Sequence, residues 1–207
     1  MTKKAQAENK KYGKRRVDEL IPLLVILALV GQVLIGCSNK PQFFRADSDE
    51  FKSTGSVAVL PLMNLTRYED ASDVVMDALV VELLDLGIFE VVDPGVVEVV
   101  VLEKRLRLTD RLPLETIQEI GARLQVDYLL VGSVSEFDVV REGNTQLPNV
   151  SISLRLIECV EGRILWAATH SERGDDAESV FGIGRISTPE QLAAAMVKDM
   201  IMTLKPQ

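Results

Sequence analysis

Cys37 is the side chain best placed for a covalent reaction. It follows Leu34-Ile35-Gly36, so small Gly36 stands directly before its thiol. The second thiol has no such setting. Ile157-Glu158-Cys159-Val160 supplies no base or cation to activate Cys159, which reads as a core or edge residue of a strand. With Cys37 modified, Cys159 is left alone and forms no internal disulfide. His170 is the one conventional base, and its place at the end of a predicted strand suits a hydrogen-bonded or solvated edge histidine. No HExxH, CxxC pair or GxSxG elbow occurs. Gly182-Ile183-Gly184 lacks the third glycine and the strand-to-helix setting of a phosphate loop. Glu172, Asp175, Asp176 and Glu178 match no calcium-loop spacing and read as a solvated acidic loop. The expectation is a protein with no catalytic residues, no metal and no cofactor, and with lipid chemistry at Cys37.

The chain ahead of Cys37 supports that chemistry. Lys3, Lys4, Lys10, Lys11, Lys14, Arg15 and Arg16 precede an apolar run from Leu20 to Ile35, broken by Pro22, Gly31 and Gln32. This is a charged segment followed by the hydrophobic segment of an export signal. The run is shorter than the roughly 20 apolar residues of a spanning helix. Leu34-Ile35-Gly36-Cys37 closes it and resembles the bacterial lipobox. Residues 1–36 are therefore read as a lipoprotein signal peptide, with an uncleaved anchor helix and incidental Cys37 as the alternative. A twin-arginine signal at Arg15-Arg16 is set aside because Val17-Asp18-Glu19 follows. The lipobox resemblance implies acylation of the Cys37 thiol and cleavage after small Gly36, and Ser38 in place of the aspartate that retains such lipoproteins at the inner membrane then favours the outer membrane, periplasmic face.

Removing the leader's seven basic and three acidic residues from the chain's 23 and 31 leaves 16 against 28, a net charge of −12. Such a surface repels nucleic acid and anionic headgroups, so membrane residence must come from the lipid. The remaining 171 residues suffice for one domain with a single sizeable core. Residues 37–55 read as a lipidated tether, polar except for Phe43-Phe44, which rest on the domain or dock on a neighbouring subunit.

Beyond the tether, the elements follow from periodicity. Val57 to Leu60, stopped by Pro61, is a buried strand. Val75, Leu79, Leu83 and Leu86 mark one face of a helix from Asp70 to Leu86, with Asp70 or Ser72 as N-cap and Gly87 as C-cap. A strand over Ile88–Val92 follows, then a helix launched by Asp93-Pro94 through about Arg107, despite its run of valines. A further helix spans Pro113 to Gln125, interrupted by Gly121. Tyr128–Phe137 is a strand and Asp138–Asn149 a polar loop. Val150, Ile152, Leu154 and Leu156 alternate as a half-buried strand, paired through Glu161-Gly162 with Arg163–His170. Ser171–Ser187 is a long polar loop whose Phe181, Ile183 and Ile186 gain nothing unless they pack on the domain, a partner or a bilayer. Thr188-Pro189-Glu190-Gln191 opens the last helix. Trp166 reads as core, with a subunit contact as the alternative.

Val57-Ala58-Val59-Leu60-Pro61 before Asn64-Leu65-Thr66, then Leu130-Val131-Gly132-Ser133-Val134-Ser135-Glu136-Phe137, then Ser153-Leu154-Arg155-Leu156-Ile157 running into Glu161-Gly162-Arg163-Ile164-Leu165-Trp166-Ala167, resemble the curli-secretion (CsgG-like) lipoprotein family. The resemblance covers about Ser56 to Leu204. It implies kinship with the TolB N-terminal domain, PelC and LpoB, and an α/β domain over residues 56–207 with a mixed, mostly antiparallel sheet flanked by helices, often assembled in rings.

A curli-type channel needs hairpin strands of about 9 to 11 lipid-facing residues. Neither Asp138–Asn149 nor Ser171–Ser187 supplies them, so a channel is not expected. An eighteen-residue tether has a root-mean-square reach of about 25 Å, short for an activator that must work across the cell-wall mesh. The sequence thus favours a non-enzymatic, membrane-anchored accessory of secretion or envelope assembly, homo-oligomeric and in contact with envelope or secretion proteins. The second reading is a regulatory module activating a cell-wall synthase. Candidate partner contacts are Phe43, Phe44, Phe181 and Ile183; Leu34, Ile35 and Gly36 form the lipobox and Cys37 takes the lipid.

Overall fold

The computed structural model describes residues 40–47, 55–106, 109, 111–143, 145–176 and 186–205. Seven strands are described, β1 (Gln42–Arg45), β2 (Gly55–Val59), β3 (Met63–Asn64), β4 (Phe89–Val91), β5 (Tyr128–Glu142), β6 (Thr145–Glu158) and β7 (Ile164–Arg173). The helices are α1 (Ala71–Leu86), α2 (Pro94–Glu103), α3 (Leu114–Leu124) and α4 (Pro189–Met202). One sheet runs in the order β1-β7-β6-β5-β2-β4, with β3 beside β5. β2 pairs parallel with β4 and β5, whereas β5-β6, β6-β7 and β7-β1 pair antiparallel.

The helix ends follow local chemistry. Gly87 closes α1 in the left-handed region at φ 68°, its N–H donating to the Leu83 carbonyl at 3.3 Å. Asp70 holds the N-cap position without a side-chain bond, and Ser72 lies inside the helix. Asp93 accepts from the Gly95 N–H at 2.8 Å ahead of α2, so cap and first-turn proline prevail over the β propensity of the valines. Gly121 sits inside α3 for a packing reason: a Cβ there would lie 2.7 Å from Cys159 Cβ and 2.8 Å from its sulfur. Cys159 is accordingly a core residue.

Two hydrophobic clusters lie on opposite faces of the sheet. Val75, Leu79 and Leu83 of α1, with Leu192, Met196 and Met200 of α4, cover Val59, Leu130, Ile152, Leu156 and Trp166. On the other face Val97, Val101, Ile117 and Ile120 of α2 and α3 cover Ala58, Leu129, Val131 and Ile157. The second cluster contains no residue of β7 or β1. The antiparallel half of the sheet therefore carries helices on one face only, and its other face is lined by small polar side chains, Ser153 paired with Thr169 and Ser151 with Ser171.

Three expectations are corrected. Asp138–Asn149 is not a loop: Val139 pairs with Pro148, Val140 with Leu147, Arg141 with Gln146 and Glu142 with Thr145, so β5 and β6 form one long hairpin. Gly143, at φ 60°, opens its turn, and Gly143-Asn144 is the two-residue signal of such a hairpin. Pro148 fits near the end of the β6–β7 pairing, where its carbonyl accepts from the Gly174 N–H at 2.8 Å. The tether over 37–55 is also interrupted, since Gln42–Arg45 adds to β7 as an edge strand. Finally, Ser171–Arg173 belongs to β7 rather than to the loop that follows it.

Candidate functional site

Phe43 and Phe44 are the sequence-singled contact residues that the structure describes. Both sit on β1, opposite Ala168 and Ala167, and because side chains alternate along a strand they project to opposite faces of the sheet. They are 48% and 56% exposed. Phe43 lines a groove of about 320 Å³ with Lys40, Pro41, Asp199 and Thr203, between β1 and the end of α4. Arg45 fixes the strand's other end, its Nη1 donating to the Lys205 carbonyl at 2.9 Å. Leu34, Ile35, Gly36, Cys37, Phe181 and Ile183 lie outside the described residues.

Trp166, one strand inward, is fully buried. Its Nε1 donates to Thr203 Oγ1 at 2.8 Å, and that hydroxyl donates to the Met200 carbonyl at 2.6 Å, so the indole locks the end of α4 onto β7. Its role is packing, as a buried tryptophan with a satisfied N–H requires.

His170 differs from the expected edge position. It is 2% exposed: Ile152 is its partner on β6, and by strand alternation it shares the helix-covered face with Trp166 and Ala168. Its Nε2 is 3.2 Å from Glu172 Oε2, within ion-pair range, yet off the alignment a hydrogen bond needs. Glu172 is two residues on and shares the face. Among the described residues no three of His, Cys, Asp and Glu gather where a metal ion could be held.

The resemblance motifs have structural duties. Asn64 Nδ2 donates to the carbonyls of Tyr68 and Glu69, and its Oδ1 accepts from the Thr66 N–H and hydroxyl, shaping the turn into α1. The Tyr68 ring then meets Phe137 at 5.1 Å. Gly132 lets β5 and β6 approach, since a Cβ there would fall 2.3 Å from the Ser153 carbonyl oxygen.

The hairpin arm ends in ion pairs. Arg173 Nη2 bonds Glu142 Oε2 at 2.9 Å, and that hydrogen bond and charge, with Asp175 and Asp176, hold the guanidinium above its ordinary range. The arm beyond Phe137 carries Asp138, Arg141 and Glu142 and shows no lipid-facing alternation. Among the described residues no helix is long and apolar enough to cross a membrane.

The described residues form a mixed α/β sandwich whose polar groups serve turns and surface pairs, and whose exposed side chains include aromatics and valines. The model of the peptidoglycan-synthase activator LpoB family matches residues 36–171, and the chain belongs to that family. No curated protein matches the sequence. Among solved structures, the PelC dodecamer from Paraburkholderia phytofirmans is similar at 18% identity and TM-score 0.57, covering 82% of this chain and 99% of that one. Lipoprotein GNA1162 from Neisseria meningitidis is similar at 17% identity and TM-score 0.52, covering 72% and 97%. These likenesses establish a shared fold.

Proposed function

We propose that the chain is a lipid-anchored periplasmic module that binds a peptidoglycan synthase and raises its activity, with Cys37 as the lipid-bearing residue. The observation that carries this reading is the family match, which begins at Gly36 and runs through β1 to Ser171 of β7. Such a module acts through contact and has no need of a nucleophile or a metal. The short tether sets a condition on the mechanism. With β1 taking up Gln42–Arg45, only Ser38–Pro41 separate the lipidated residue from the sheet, so the synthase must present its binding surface close to the membrane that holds this domain.

A second reading, an oligomeric accessory of secretion or envelope assembly, is favoured by one observation, the fold shared with a protein that forms a dodecamer. Sedimentation of the purified lipidated chain, alone and mixed with the cell's peptidoglycan synthases, separates the two. The activator reading predicts a stable complex with a synthase. A large self-assembly that leaves every synthase free would overturn it in favour of the second.

A further inference from the structure

We propose that the β1 edge is a bilayer-docking edge, which orients the domain on the membrane that holds its lipid. This rests on the anchoring of Cys37 given above. The first argument is chain length. Cys37 lies three Cα steps before Lys40, at most roughly 11 Å at about 3.8 Å per step, and β1 begins two residues later. A lipid seated in the bilayer therefore brings β1 to the surface before any other strand.

The second argument is what stands there. Phe43 and Phe44 are exposed on both faces of the edge strand, and Met202 at the end of α4 is exposed as well. Lys40 precedes the strand and lines the groove beside Phe43, while Arg45, at the strand's other end, is engaged with the Lys205 carbonyl. Aromatic rings with long cationic side chains suit the headgroup level of a bilayer, where the ring enters the apolar boundary and the cation meets phosphate. Asp199 and Asp47 occupy the same quarter, so the patch is not polybasic. Its attraction for lipid is weak on its own, and its work is to set orientation once the lipid has inserted. The outer edge of β1, which no described strand covers, then faces hydrated headgroups and is shielded from strand addition.

The test uses the full lipidated chain in phospholipid vesicles whose acyl chains are brominated near the headgroup. In a Trp166→Phe background, Phe44→Trp and Leu102→Trp place single tryptophans on β1 and on the exposed face of α2, across the sheet. Docking predicts that the tryptophan at position 44 loses about half its emission and shifts to the blue, while that at position 102 is unchanged. If the Trp166→Phe background does not fold, Phe44→Cys bearing an environment-sensitive dye reads the same contact, since Cys159 is buried and Cys37 is blocked by lipid. A chain that floats with the vesicles but shows no difference between the two positions overturns the docking alone. One that fails to float overturns the anchoring and the docking together. Cross-linking of position 44 between two copies, without quenching, makes this edge a subunit interface and also overturns the proposal.

Discussion

The two halves of the sheet are built to different rules. In the parallel half, Val57, Ala58, Val59 and Leu60 with Tyr128, Leu129, Leu130 and Val131 are all buried, because helices cover both faces. In the antiparallel half the strands alternate: Ile152, Leu154 and Leu156 face α1 and α4, while Ser153 and Thr169 look outward with no helix over them. The difference teaches where stability and recognition reside. A strand packed on both sides can be changed only at the cost of folding, whereas one packed on a single side leaves a face, an edge and a hairpin arm open to contact.

The largest expected effect breaks the closed half. Leu129→Ala and Leu130→Ala should each cost about 2–5 kcal/mol in denaturant unfolding, since each empties a site beneath a different helix layer. A cost below about 1 kcal/mol for either would mean that its layer is not packed as described. Gly121→Ala should follow at about 1–3 kcal/mol, because the new methyl meets Cys159, and Cys159→Ala in the same chain should recover part of the loss. Failure of that recovery would place the strain elsewhere in α3.

Smaller effects sharpen the open half. Thr188→Ala removes the N-cap whose hydroxyl accepts from the Gln191 N–H at 3.3 Å, and should cost about 1 kcal/mol. Thr169→Ala on the uncovered face should stay within about 0.5 kcal/mol of the native chain. If its cost rivalled that of Leu129→Ala, the asymmetry of the two halves would be wrong.

The closed half was largely legible in the sequence. Val75, Leu79 and Leu83 repeat at helical period because one face of α1 is buried, and Val57–Leu60 is continuously apolar because both faces of β2 are covered. What the sequence concealed lies in the open half. Asp138–Glu142 and Thr145–Asn149 are paired strands in which most side chains reach solvent, so no alternation announces them and only Gly143-Asn144 hints at the turn. Gln42–Arg45 was hidden for the same reason: an edge strand of four residues, exposed except for Arg45, looks like tether, and Phe43-Phe44 was its one β signal. The burial of His170 depends on what packs over the sheet face it shares with Trp166 and Ala168, which no local pattern records.

The most direct test measures the rate of glycan-strand synthesis by a purified peptidoglycan synthase of the same cell, in vesicles, with and without the lipidated chain. The account predicts a several-fold rise in the synthase's rate, saturating at one chain per synthase, and no turnover by the chain alone. An unchanged rate with every synthase of the cell, at chain concentrations that saturate the membrane, would contradict it.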